Sequence, residues 1–114
     1  MTTSTTRLDL DALRGSARGT VIGPQDPDYD AARTVQAGGI DRRPAAIVQV
    51  ADAGDVATVI RLARDTGLEL AVRSGGHSGA GHSVSEGGLV IDLRRMKDLQ
   101  VDVAGRTAWA ETGL

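Results

Sequence analysis

The segment from Pro44 to Arg73 restricts the fold more than any other part of this chain. Ala46-Ile47-Val48-Gln49-Val50 is a near-continuous apolar run, as in a strand covered on both faces. Asp52 is placed to cap the helix that follows, and Asp55 adds negative charge near that helix's positive end. Val56, Val59, Ile60 and Ala63 fall at i, i+3, i+4 and i+7, one apolar face of a helix, while Arg61, Arg64 and Asp65 lie mostly off it. Gly67 is the expected stop, and Leu68 to Arg73 is a second strand. This order implies parallel pairing of the two strands with a right-handed crossover. It also makes the loop after the second strand the expected ligand site.

That loop is distinctive. Val72 to Ser83 holds four glycines in twelve residues, and both histidines of the protein. Glycine allows positive φ and close approach of another molecule to the backbone. Gly75 and Gly76 bring main-chain N–H groups toward an anion. Ser74 and Ser78 add hydroxyl donors, Arg73 adds a fixed positive charge, and His77 is a candidate nucleophile.

Other chemistries fit less well. A P-loop requires Gly-Lys-Ser/Thr, and the only lysine is Lys97. Gly79-Ala80-Gly81-His82-Ser83-Val84 lacks the third glycine of a dinucleotide fingerprint and no helical pattern follows it. Gly76-His77-Ser78-Gly79-Ala80 approaches the serine-hydrolase elbow, but no helix formers follow, and His82 is too near Ser78 to be the distal base. His77 and His82 have no carboxylate or thiol at matching spacing, so no metal site is expected.

Arg73-Ser74-Gly75-Gly76-His77-Ser78, followed by Gly88-Leu89-Val90-Ile91-Asp92-Leu93, resembles the berberine-bridge-enzyme-like group of FAD-linked oxidases, of the vanillyl-alcohol-oxidase type with a PCMH-type FAD-binding domain. The likeness runs from about Arg43 to Leu114 and, more weakly, from about Gly19. It implies that the loop wraps the FAD pyrophosphate, with Arg73, Ser74, Gly75, Gly76, His77, Ser78, Gly81 and His82 as cofactor-binding residues. It further implies an 8α-histidyl bond from His77 to the flavin. His82 is otherwise a loop residue that packs on the cofactor or faces water. The resemblance places the Asp92 strand beside the FAD, although Asp92 itself is expected only to cap the turn before Arg94. An intact relative would oxidise an alcohol, amine or sugar-like small molecule, with catalytic groups outside these residues. The alternative is a non-catalytic fragment or nucleotide-binding module.

Tyr29 and Trp109 are the only aromatic residues and there is no Phe. The core must therefore come from Val, Leu, Ile and Ala, with Trp109 expected inside it. An α+β domain follows, a small βαβ sheet with flanking helices and then short strands. The net charge of −2 gives no reason to expect nucleic acid. The absence of cysteine excludes a disulfide scaffold. No run is apolar enough to span a membrane, and the first residues carry no export signal, so a cytoplasmic protein is expected.

Along the rest of the chain, Met1 to Thr6 is expected to be disordered, and residues 1–18 to be an extension of a domain spanning 19–114. Short helices are expected around Leu8–Gly15 and Tyr29–Gln36, and a strand within Gly19–Gly23. After the loop, strands are expected at Leu89–Leu93, Leu99–Val103 (half-buried, by its alternation) and Thr107–Glu111, with a turn at Ala104-Gly105-Arg106. The resemblance ends partway through its family's FAD domain, so the chain is expected to be an N-terminal fragment lacking the second half of that domain and the substrate domain. Val90, Ile91, Leu93, Val101 and Val103 would then lie uncovered, making the chain marginal, oligomeric or aggregation-prone.

Overall fold

A computed structural model describes residues 8–36 and 38–114. The disorder expected for Met1 to Thr6 lies outside the described residues. Helix α1 (Leu10–Ser16) is followed by β1 (Thr20–Ile22), α2 (Tyr29–Arg33), β2 (Ala46–Gln49) and α3 (Ala53–Thr66). Then come β3 (Leu70–Arg73), β4 (Leu89–Asp92), β5 (Leu99–Asp102) and β6 (Thr107–Ala110). The class is α+β, as expected.

Local signals explain most boundaries. Asp9 caps α1 by accepting from the Ala12 N–H at 3.0 Å, and Asp52 caps α3 by accepting from the Asp55 N–H at 2.9 Å. Gly67 ends α3 in the left-handed region, with φ 71°. α2 stops at Arg33, three residues before the expected end at Gln36.

The main sheet has the order β1-β2-β4-β3. β2 and β3 each pair in parallel with β4, and β1 pairs antiparallel with β2. The two strands flanking α3 run parallel but do not pair with each other, because β4 lies between them. Direct pairing was the expectation. The loop after β3 returns the chain to the gap, so the most apolar late strand takes the centre.

Both faces of β2 and β4 are covered, which is why they read as continuous apolar runs. On one face Ala46, Val48, Leu89 and Ile91 pack with Val59 and Ala63 of α3 and Leu13 of α1. On the other, Ile47, Val90 and Ala71 pack with Tyr29, Ala32, Val35 and Val84. Each fully buried Val, Leu or Ile contributes roughly 1.5–3 kcal/mol. Val90 and Ile91, expected to be uncovered, are only 1% exposed, because β4 is central rather than an edge. On α3 the stripe runs through Val56, Val59, Leu62 and Ala63, while Ile60 is 48% exposed. Leu62 faces the groove shared with α1, and this tips the covered stripe to its side.

Asp55 does more than complement the helix dipole. Its carboxylate is buried and accepts from the N–H groups of Arg18 (2.8 Å), Gly19 (2.8 Å) and Ala51 (2.9 Å). It fastens the chain entering β1 to the start of α3. Gly19 is a necessity there, since a Cβ would lie 2.0 Å from the Gln49 carbonyl oxygen.

β5 and β6 form a separate antiparallel hairpin. All eight of its strand residues are exposed, so the half-buried reading of Leu99–Val103 is corrected. Trp109, expected in the core, is 61% exposed. Alternation and aromatic character mark a face able to be buried, but nothing among the described residues covers this one. No helix among the described residues is long and apolar enough to cross a membrane.

Candidate functional site

The carboxyl ends of β3 and β4 lie side by side, with Arg73 in register with Asp92 and the Leu93 N–H donating to the Arg73 carbonyl at 2.9 Å. The glycine-rich loop leaves from this point. Arg73 does not reach outward. Its side chain is buried (4% exposed), and Nη1 donates to the carbonyls of Ala32 (3.2 Å) and Thr34 (2.7 Å). Its Nε has no partner among the described residues. The fixed positive charge expected of Arg73 at the loop is therefore turned into the protein. Burial lowers its pKa, the Arg94 charge adds to this, and Asp92 opposes it.

Asp92 is fully buried and accepts from the Arg94 N–H at 3.0 Å, the turn cap expected of it. It also takes Arg94 in a fork, from Nε at 3.0 Å and Nη2 at 2.7 Å, which raises the Arg94 pKa.

In the loop, Gly76 has φ 72°, a region that favours glycine, and its carbonyl accepts from the Gln36 N–H at 2.9 Å. The N–H groups of Gly75, Gly76, His77 and Ser78 donate to no acceptor among the described residues. Gly75 and His77 are exposed. The His77 imidazole lies against the Gly75 backbone, where a Cβ would be 2.8 Å from Nε2. Ser74 donates its hydroxyl to the Thr112 carbonyl and so is already engaged. Ser78 closes a turn: its carbonyl accepts from the Gly81 N–H and its hydroxyl oxygen from the His82 N–H, each at 3.2 Å. The Ser78 O–H remains able to donate outward. Gly81 is buried with φ 81°, and His82 is exposed. A cleft of about 460 Å³ runs along Ala80, Gly81 and His82, with Arg42 and Glu86 on its walls.

The eight expected residues thus lie at the end of β3 and in the loop after it, with backbone donors that have no acceptor among the described residues beside an inward-facing Arg73. Sequence reasoning missed Arg42, the Thr34–Gln36 strap and Thr112. Arg42 and the strap come from the chain before β2, and only folding brings them to the loop.

Residues 44–114 match the family described as the FAD binding domain. The chain belongs to that family. It is 44% identical over 93 residues to (R)-6-hydroxynicotine oxidase of Paenarthrobacter nicotinovorans, covering 82% of this chain and 20% of the relative. Among solved structures, it superposes on 6-hydroxy-D-nicotine oxidase of Arthrobacter nicotinovorans with a TM-score of 0.79 at 44% identity, over 82% of this chain and 20% of that one. Berberine-bridge-enzyme-like 28 of Arabidopsis thaliana follows at a TM-score of 0.72 and 30% identity, over 82% and 21%. The chain thus spans about a fifth of the length of these relatives. The mixed sheet and its helices are the FAD-binding-domain fold.

Proposed function

We propose that the loop from Arg73 to Ser83 cradles the pyrophosphate of FAD, and that the whole protein is a flavin-dependent oxidoreductase acting on an alcohol, amine or sugar-like small molecule. One observation carries the reading. Four consecutive N–H groups, from Gly75 to Ser78, have no acceptor among the described residues, and successive free amides at a turn form an anion-binding concavity. The buried Arg73 guanidinium beneath them makes no ion pair among the described residues and adds positive charge there. A bridging pair of phosphates fits this donor set.

Bound FAD supplies the redox chemistry, accepting a hydride from substrate and passing two electrons to O₂ or another acceptor. The residues of this chain bind and orient. Gly75 and Gly76 would offer their backbone N–H groups to phosphate, the Ser78 O–H would donate to it, and His77 would carry the covalent bond. That bond would join an imidazole nitrogen of His77 to the 8α position of the flavin. No residue here is assigned as the acid or base for substrate.

FAD is expected to bind about tenfold or more tightly than FMN, because the second phosphate adds charge-assisted bonds of roughly 1.5–3 kcal/mol each. Calorimetric titration of the chain with both flavins measures this. Equal affinities would remove the pyrophosphate role from the loop.

A further inference from the structure

Two glycines of the loop adopt positive φ, Gly76 at 72° and Gly81 at 81°, and each lies against an arginine guanidinium. A Cβ on Gly76 would be 2.6 Å from Nη2 of Arg73, and a Cβ on Gly81 would be 2.9 Å from Nη1 of Arg42. Both arginines donate to main-chain carbonyls through Nη1. Arg73 donates to Ala32 and Thr34, the strap whose Gln36 N–H in turn holds the Gly76 carbonyl. Arg42 donates through Nη1 to the carbonyls of Gly81 and, at 3.2 Å, Val84. Arg42 is itself anchored. Its carbonyl accepts from Arg33 Nη1 at 3.1 Å, and the next N–H, of Arg43, donates to Glu86 at 3.0 Å.

We infer that Arg42 and Arg73 are positioning residues: a pair of clamps, one under each half of the loop, that hold the free N–H groups in a binding shape without contacting the ligand. The ligand-dependent part of this inference rests on the FAD reading, and the loop-shape part does not. A flat guanidinium can lie under a residue with no side chain while bonding carbonyls at its rim. A tetrahedral ammonium offers no such plate. Nothing in the pattern of the sequence pairs Arg42 with Gly81. The resemblance makes Arg73 a ligand, but its hydrogen bonds all run back into the protein.

The test uses the 114-residue chain, with Arg42 and Arg73 each changed to Ala and to Lys. Hydrogen exchange is followed without ligand, and FAD is titrated separately. Arg73→Ala and Arg73→Lys are expected to speed exchange of the Gln36 N–H about tenfold or more, and the Arg42 variants to do the same at Gly81 and His82, while β2 and β4 amides are unchanged. FAD affinity is expected to fall about tenfold in each Ala variant, with Lys restoring little. Weakened FAD binding with unchanged loop exchange would make the arginines direct ligands and overturn the inference. Unchanged exchange and unchanged affinity would overturn it as well. Faster loop exchange in a chain whose wild type takes up no FAD would sustain the clamps and sink the cofactor reading instead. If Arg73→Ala loses the β-ladder protection too, the Arg42 variants decide the matter, because Arg42 lies outside the sheet.

Discussion

Asp55→Ala is expected to cost about 3 kcal/mol of stability and to lower the melting temperature by about 10–15 °C. Three backbone donors converge on this carboxylate from two parts of the chain, Arg18 and Gly19 before β1 and Ala51 before α3. Hydrogen bonds to a charged group stabilise by roughly 1.5–3 kcal/mol each, and donors left without an acceptor keep their desolvation cost. Partial access of water to Arg18 and Ala51, both in exposed residues, holds the total below the sum of three. Asp55→Asn keeps the shape but sets an NH₂ donor against N–H donors, so it should lose nearly as much. A loss under about 1 kcal/mol in denaturant titration would show that the staple is incidental.

The same carboxylate gives a pH signature. Burial by itself would raise its pKa, but the bonds from Ala51, Arg18 and Gly19 outweigh burial and hold it below the usual 3.8. A lowered native pKa means the unfolded chain takes up the proton first. The stabilisation is therefore complete above about pH 4 and is lost as the pH falls through the lower native value. The stability gap between wild type and Asp55→Asn should be constant from pH 7 to about pH 5 and narrow below about pH 4. A gap that stayed constant to pH 2 would contradict the assignment.

Asp55 also shows where the sequence is legible and where it is not. Its place in the first turn of α3 could be read from local spacing, as could Asp52 as cap, Gly67 as stop and the apolar run of β2. Such features depend on a few neighbours. The Gly19 and Arg18 donors that complete the Asp55 site come from a distant segment, and no local pattern announces them. Sheet order failed for the same reason: strand, helix, strand gives direction, but only the return of Leu89–Asp92 into the gap between β2 and β3 decides adjacency. The loop could be marked as a candidate ligand site because glycines, serines and histidine fall in one stretch. The direction of Arg73 was not legible, because a strand-end arginine is compatible with either face until α2 and its strap are in place. Trp109 and the alternating Leu99–Val103 signal a face that can be buried, and periodicity does not say against what.

His77→Ala is expected to abolish covalent flavin attachment outright, while His82→Ala leaves it intact. Both histidines are exposed in the same loop, so accessibility does not choose between them; backbone context does. His77 follows the positive-φ Gly76, whose carbonyl is tied to Gln36, and its ring is seated against Gly75. It therefore leaves the backbone at the run of free N–H groups proposed to hold the FAD pyrophosphate. The His82 N–H is instead consumed in the Ser78 turn, and its side chain belongs to the cleft shared with Arg42. The bond requires a complete domain, so the measurement uses a chimera. Residues 1–114 replace the equivalent part of (R)-6-hydroxynicotine oxidase, which is 44% identical over the matched region. Intact mass after denaturation should show an FAD-sized increment in the unmutated chimera and in His82→Ala, and none in His77→Ala. His77→Ala should still retain some FAD before denaturation, because the main-chain donors survive the substitution. An increment that persists in His77→Ala and vanishes in His82→Ala would reverse the two assignments. No increment in any of the three would leave the loop as a reversible FAD site, with His77 as part of its wall.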